Sequence, residues 1–207
     1  WRVTVKDRDE RKVGRAFNDA MVHTAWAGSP GRYGLGGGAS AASAFGVYRP
    51  ARVSTDLVPQ CVHVLGGETR QVDSVAPAGP VVDIPSEPPS ASEAGATERV
   101  PLGRVAGTRS GDKGGDANLG VFVRSDEAWA WLDEELTVDK LRELLPEAAA
   151  LTIDRHRFPK IRALNFVVRG LLEEGVAAST RQDSQAKALG EWLRARQLDI
   201  PAALCTP

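Results

Sequence analysis

The chain has 207 residues, 42% of them apolar and 26% charged, enough for one large domain or two small ones with a buried core. Lys and Arg total 26 against 27 for Asp and Glu, and a formal charge of -1 gives no sign of a general nucleic-acid or membrane-surface binder. No apolar run approaches the roughly 18 residues of a spanning helix, and no basic-then-apolar leader opens the chain. Cys61 and Cys205 lie far apart and make no framework of several bridges. They read as free thiols in a reducing, cytoplasmic compartment, with a single disulfide as the alternative. The first residue is Trp1 rather than Met. The expectation is therefore a fragment or an excised piece, with function lying partly in what is missing.

Residues Trp1 to Lys6 alternate apolar and polar, the pattern of a half-buried strand. A helix is predicted from Val13 to about Trp26, with Val13, Phe17, Ala20, Met21 and Thr24 on one face. Gly28 to Gly38, with Pro30 and six glycines, breaks regular structure. Two strands are predicted next, Phe45 to Val53 and Gln60 to Leu65, the first interrupted or edge-placed at Pro50. Prolines then recur among Ser, Ala, Gly and Glu, with few large apolar residues to offset ordering entropy. Residues 67–99 are read as a linker, extended where proline dominates and disordered near Ser86 to Thr97. A partner-binding polyproline segment is the alternative, without a clean P-x-x-P array to support it. Residues 1–66 and 100–207 become the two folded parts.

The second half is better patterned. Leu102 to Thr108 and Leu119 to Val123 read as strands joined by a glycine-rich loop. Ser125 is a fair N-cap for a helix carrying Trp129, Leu132 and Leu136. Thr137 caps the next, with Leu136 and Leu141 placed for a hydrophobic staple and an end near Pro146. Leu151 to Phe158 and Ile161 to Val168 form a second strand pair around Pro159-Lys160. A last helix is predicted from about Asp183, burying Ala186, Leu189 and Leu193. Two such ββα halves make an α+β fold, one antiparallel sheet with helices on one face.

The stretch from Arg109 to Gly120 carries the chemistry. Read as a turn between two strands, it holds the cations Arg109 and Lys113, the carboxylates Asp112 and Asp116, the Ser110 hydroxyl and the Asn118 amide. Glycines there let backbone N–H groups approach a ligand, and successive N–H groups can form an anion nest. It is neither a Walker loop nor a dinucleotide fingerprint. The plain alternative is a hairpin loop whose Arg and Asp pair with each other. His23, His63 and His156 have no metal-site spacing and no cysteine beside them. His156, between Arg155 and Arg157, reads as a surface histidine beside two cations. Trp129, Trp131 and Trp192 read as core or interface aromatics, since no basic groove surrounds them. No G-x-S-x-G elbow is present.

The run "RSGDKGGDANLGVFVR", Arg109 to Arg124, resembles the signature of the C-terminal domain of the AtuA (acyclic terpene utilization) family. The resemblance continues through Phe158-Pro159, "ALNFVVRGLL" (Ala163 to Leu172) and "RQDSQAK" (Arg181 to Lys187), in order, over about residues 100 to 196. It implies a ferredoxin-like fold and a preceding large AtuA domain, of which residues 1–66 resemble the tail. It also implies site roles for Arg109, Ser110, Asp112, Lys113 and Asn118. Asn165 interrupts an apolar strand; its simplest role is a buried amide tying the neighbouring loop in place. Asp183 is a helix N-cap on the same reading, and Lys187 either pairs with it at i,i+4 or reaches the loop. The sequence departs from the pattern at Ala186, where glycine is expected.

The resemblance implies catabolism of acyclic terpenes or related branched acids. The expectation is an enzyme or enzyme domain acting on a branched acyl-CoA or acidic intermediate. Arg109, Ser110, Lys113, Asn118, Asn165 and Lys187 would bind the substrate, and Asp112 or Asp116 would act as acid/base. No cofactor and no metal are expected. The expected partners are an anionic small molecule or acyl-CoA, the missing AtuA-domain sequence and further copies of the chain. The alternative is a non-catalytic ligand-binding or assembly domain of a larger complex.

Overall fold

The computed structural model describes residues 3–28, 30, 31, 33, 41–73, 79 and 95–205. The N-terminal part holds two helices, α1 (Glu10–Val13) and α2 (Arg15–Trp26), and a hairpin of β1 (Gln60–His63) with β2 (Thr69–Val72). Neither helix buries a residue, so the apolar face predicted for α2 has no core beneath it here. Val3 to Lys6 is not a strand, nor is Phe45 to Val53: neither finds a partner ladder among the described residues. Residues 1 and 2 lie outside the described residues, as do most of the glycine-rich stretch and most of the proline-rich segment. β1 ends at His63 because Val64 to Gly67 turns the chain back, and β2 therefore falls inside the segment read as linker.

The C-terminal part is an α+β domain. Its sheet is formed by β4 (Gly107–Lys113), β5 (Asp116–Phe122), β6 (Ile153–Phe158) and β7 (Ala163–Val168), in the order β4-β5-β7-β6 and antiparallel throughout. Each strand pair is a local hairpin, and the two meet where β5 runs against β7. Successive side chains alternate between faces. Ala117, Leu119 and Val121 on β5 and Leu164, Phe166 and Val168 on β7 are all fully buried on one of them. Each fully buried Val, Leu or Phe side chain among them contributes about 1.5–3 kcal/mol. Helices α3 (Asp126–Glu135), α4 (Val138–Leu144) and α5 (Leu189–Arg194) supply Trp129, Leu132, Leu141, Leu189 and Leu193 to the same core. A second ribbon pairs β3 (Thr97–Pro101) with β8 (Gln197–Pro201), burying Leu198 and Ile200.

The predicted caps are present. Ser125 Oγ accepts from Ala128 N at 3.2 Å, and Thr137 Oγ1 accepts from Lys140 N at 3.1 Å. Leu136 and Leu141 are both fully buried at the staple positions. Arg162, in left-handed backbone after the Pro159–Ile161 turn, donates to Asp126 and holds that exposed carboxyl below its ordinary range.

Two expectations are corrected. The glycine-rich segment is not a long loop: Arg109 to Lys113 and Asp116 to Asn118 are strand, and only Gly114-Gly115 turn between them. The helix predicted from about Asp183 begins instead at Leu189, because Ala186 takes left-handed backbone, φ 53°, and interrupts the helical path.

Candidate functional site

The strand register sorts the candidate residues onto two faces. Residues paired across an antiparallel ladder point the same way. Ser110 and Asp112 pair with the buried Leu119 and Ala117, so they face the helices. Arg109, Lys113, Asp116, Asn118 and Asn165 lie on the opposite, open face. His156 joins them, since it pairs with Asn165. Arg155 and Arg157 point to the helix face instead, where both bind the carboxylate of Asp133, 1% exposed. Flanking in sequence thus becomes opposition in space, and His156 does not sit beside two cations.

One row crosses the open face through Arg109, Gly120, Asn165 and His156. Neighbouring strands are about 5 Å apart, so Arg109 and Asn165 flank Gly120 at about that distance. In the next row Asn118 Nδ2 donates to Asn165 Oδ1 at 3.2 Å. This amide pair explains why a polar residue interrupts the apolar strand at Asn165. It leaves the Asn165 Nδ2 donors and the Asn118 Oδ1 acceptor for other partners.

Lys187 reaches the same place around the edge of β4. Its main chain is clamped on both sides. Asp183 accepts from Lys187 N at 2.8 Å and Ala188 N at 2.9 Å. Ser110 Oγ donates to Lys187 O at 3.2 Å and accepts from Gly190 N at 2.9 Å. The side chain then lays its ammonium over Gly111: Nζ lies 3.2 Å from where a Cβ at Gly111 would stand, and Asn118 Oδ1 lies 4.0 Å from that point. Asp183 therefore serves the Lys187 backbone, and no ion pair joins its carboxylate to the Lys187 ammonium.

The remaining candidates stand apart. Asp116 accepts from Gly170 N at 2.8 Å and from Arg169 at 2.9 Å, and Arg169 also binds Asp154. These carboxylates raise the Arg169 guanidinium above its ordinary value, the Asp116 hydrogen bond most. Lys113 donates to its neighbour's carbonyl, Asp112 O, and lies four residues from Arg109, about 13 Å along the strand. The Asp112 carboxylate makes no hydrogen bond or ion pair among the described residues. The nest expected of the loop does not form, because its backbone is committed to the β4–β5 ladder.

What converges is two cations, Arg109 and Lys187, around two amides, Asn118 and Asn165, with His156 at the far end of the row. Among the described residues neither cation makes an ion pair or a hydrogen bond. The adjoining row ends in exposed aromatics, Phe122 and Phe158. The face is thus cationic and amide-rich at its centre and apolar toward one end. Sequence reasoning singled out all four central residues and passed over His156, for which strand alternation was the available signal. Among the described residues no group of three or more His, Cys, Asp or Glu is placed to hold a metal ion. No described helix is long and apolar enough to cross a membrane.

Residues 100–199 match the family model of the AtuA ferredoxin-like domain. No curated protein and no solved structure matches the chain.

Proposed function

With that match as premise, we propose that the open face of the sheet binds a branched carboxylic acid or its CoA thioester, within a cytoplasmic protein of branched-acid catabolism. The observation that carries the reading is the pair of unneutralised cations, Arg109 and Lys187, set around the Asn118–Asn165 amide pair and next to the apolar row of Phe122 and Phe158. An amphipathic acid matches both parts. Its anionic head, the carboxylate of the free acid or a second carboxylate on the acyl chain of a thioester, takes charge-assisted hydrogen bonds from the guanidinium and ammonium, and its branched chain lies along the aromatics. Asp116 is engaged by Arg169 and Gly170, and Asp112 points to the helices. The reading therefore assigns this face binding and orientation of the acid, with any acid/base group supplied from elsewhere.

The test is calorimetry of the whole chain with isovalerate and isovaleryl-CoA, beside melting curves. A hydrogen bond to a charged group contributes about 1.5–3 kcal/mol. Arg109→Ala and Lys187→Ala should each weaken binding by about tenfold or more at unchanged melting temperature, because exposed cations add little to stability. Wild-type affinity in both variants would sink the reading and favour an assembly role for the face.

A further inference from the structure

Three glycines, Gly107, Gly111 and Gly120, stand on the open face of β4 and β5. The chain itself covers two of them. A Cβ at Gly107 would stand 2.3 Å from Phe122 Cζ, so that ring lies over the bare backbone, and the Lys187 ammonium lies over Gly111. Gly120 is different. A Cβ there would meet only the Arg109 carbonyl oxygen, at 3.5 Å, among the described residues.

Gly120 is in the middle of an inner strand, where glycine weakens the ladder and forfeits side-chain packing. Such a residue ordinarily marks a bulge, a bend or the close approach of another group. The pairing Arg109–Gly120–Asn165 is in regular register on both sides, which removes the bulge. Its φ is not positive, so no backbone requirement calls for glycine. Close approach of another group remains, and no part of the described chain makes it.

We infer that Gly120 is the floor of the ligand seat, where a carboxylate lies flat on bare backbone between Arg109 and Asn165. This rests on the anion-binding reading above and names the head group. The guanidinium fork one strand away matches the two oxygens of a carboxylate, and the Asn165 amide faces it from the other side. The apolar chain then leaves toward Phe122 and Phe158, one row along. Gly120 thereby becomes the specificity-determining position: any side chain there occupies the space the head group needs.

The experiment compares wild type, Gly120→Val, Gly120→Ala and Arg109→Ala for binding of isovalerate and its neutral isostere isovaleramide, with a melting curve and a sedimentation run for each. Valine suits a strand and its Cβ would meet only an ordinary contact here, so Gly120→Val should melt close to wild type. It should lose isovalerate binding by tenfold or more, with Gly120→Ala intermediate and isovaleramide weak throughout. Should Gly120→Val fail to fold, the alanine variant decides, its Cβ being in ordinary contact. Wild-type isovalerate affinity in the glycine variants, with loss in Arg109→Ala, would overturn the floor and leave the anion-binding face standing. Full affinity in all variants, or no binding by wild type, would overturn both. Altered self-association in Gly120→Val without loss of isovalerate binding would show that another copy of the chain, not a ligand, approaches the glycine.

Discussion

Ala186 occupies left-handed backbone with its methyl fully buried. The resemblance had marked this position as one where glycine belongs, and the structure supplies the reason: the chain must turn there to bring Lys187 around the edge of β4. Two effects oppose each other on replacement. Left-handed backbone costs a side-chain-bearing residue roughly 1–2 kcal/mol. Removing a buried methyl loses about 0.8 kcal/mol, and glycine's extra freedom costs roughly 0.5–1 kcal/mol more. The terms nearly cancel, so Ala186→Gly should shift the melting temperature by no more than about 5 °C and leave isovalerate affinity unchanged. Ala186→Val puts a β-branched residue at positive φ in a filled space and should melt well below both. A valine variant as stable as wild type would mean that the backbone at 186 is not left-handed.

Among the elements, α3 is tied to the edge strand β6 by one carboxylate. Asp133 accepts from Arg157 Nε at 2.8 Å and from Arg155 at 2.7 Å, while Arg155 also donates to Leu136 O at 3.0 Å, at the end of the helix. Breaking a buried pair by removing one partner costs about 3–5 kcal/mol, because the other charge is left uncompensated. Both arginines retain some solvent, 18% and 20%, so Asp133→Ala belongs at the low end, about 3 kcal/mol. Urea denaturation should show a lowered midpoint at unchanged slope. A loss below about 1 kcal/mol, the range of surface pairs, would show that the contact is solvated.

The caps at Ser125 and Thr137 were legible because side-chain capping is local in sequence. The β4–β5 hairpin was misread as a loop because Gly, Asp and Ser are poor strand formers. Two signals pointed the other way. Ala117, Leu119 and Val121 alternate back toward Asp116, and Gly-Gly is a two-residue hairpin turn. Leu198 and Ile200 carried the same alternation for β8, which was not predicted. Conversely, Val3 and Val5 alternate without forming a strand. A ladder needs a partner, which periodicity in one segment cannot supply.

Among the described residues, part-buried polar and packing contacts join the N-terminal part to the C-terminal domain. Lys6 Nζ donates to Ala178 O at 2.8 Å, and Tyr48 packs beside Gly114, 3.7 Å from where its Cβ would stand. These lie at the hairpin tip and the segment after β7, away from the central row of the open face. The candidate residues were legible as a set through the resemblance, which placed Arg109 with Asn118, Asn165, and Lys187 in three separate segments. That they meet on a sheet face, and not in a loop, followed only from the register. Amide chemical-shift mapping of the whole chain titrated with isovalerate tests that placement most directly. The account predicts that the largest shifts fall on Arg109, Asn118, Gly120, Asn165 and Lys187. Shifts confined to Lys113, Gly114 and Gly115 at the hairpin tip would contradict it and restore the loop as the site.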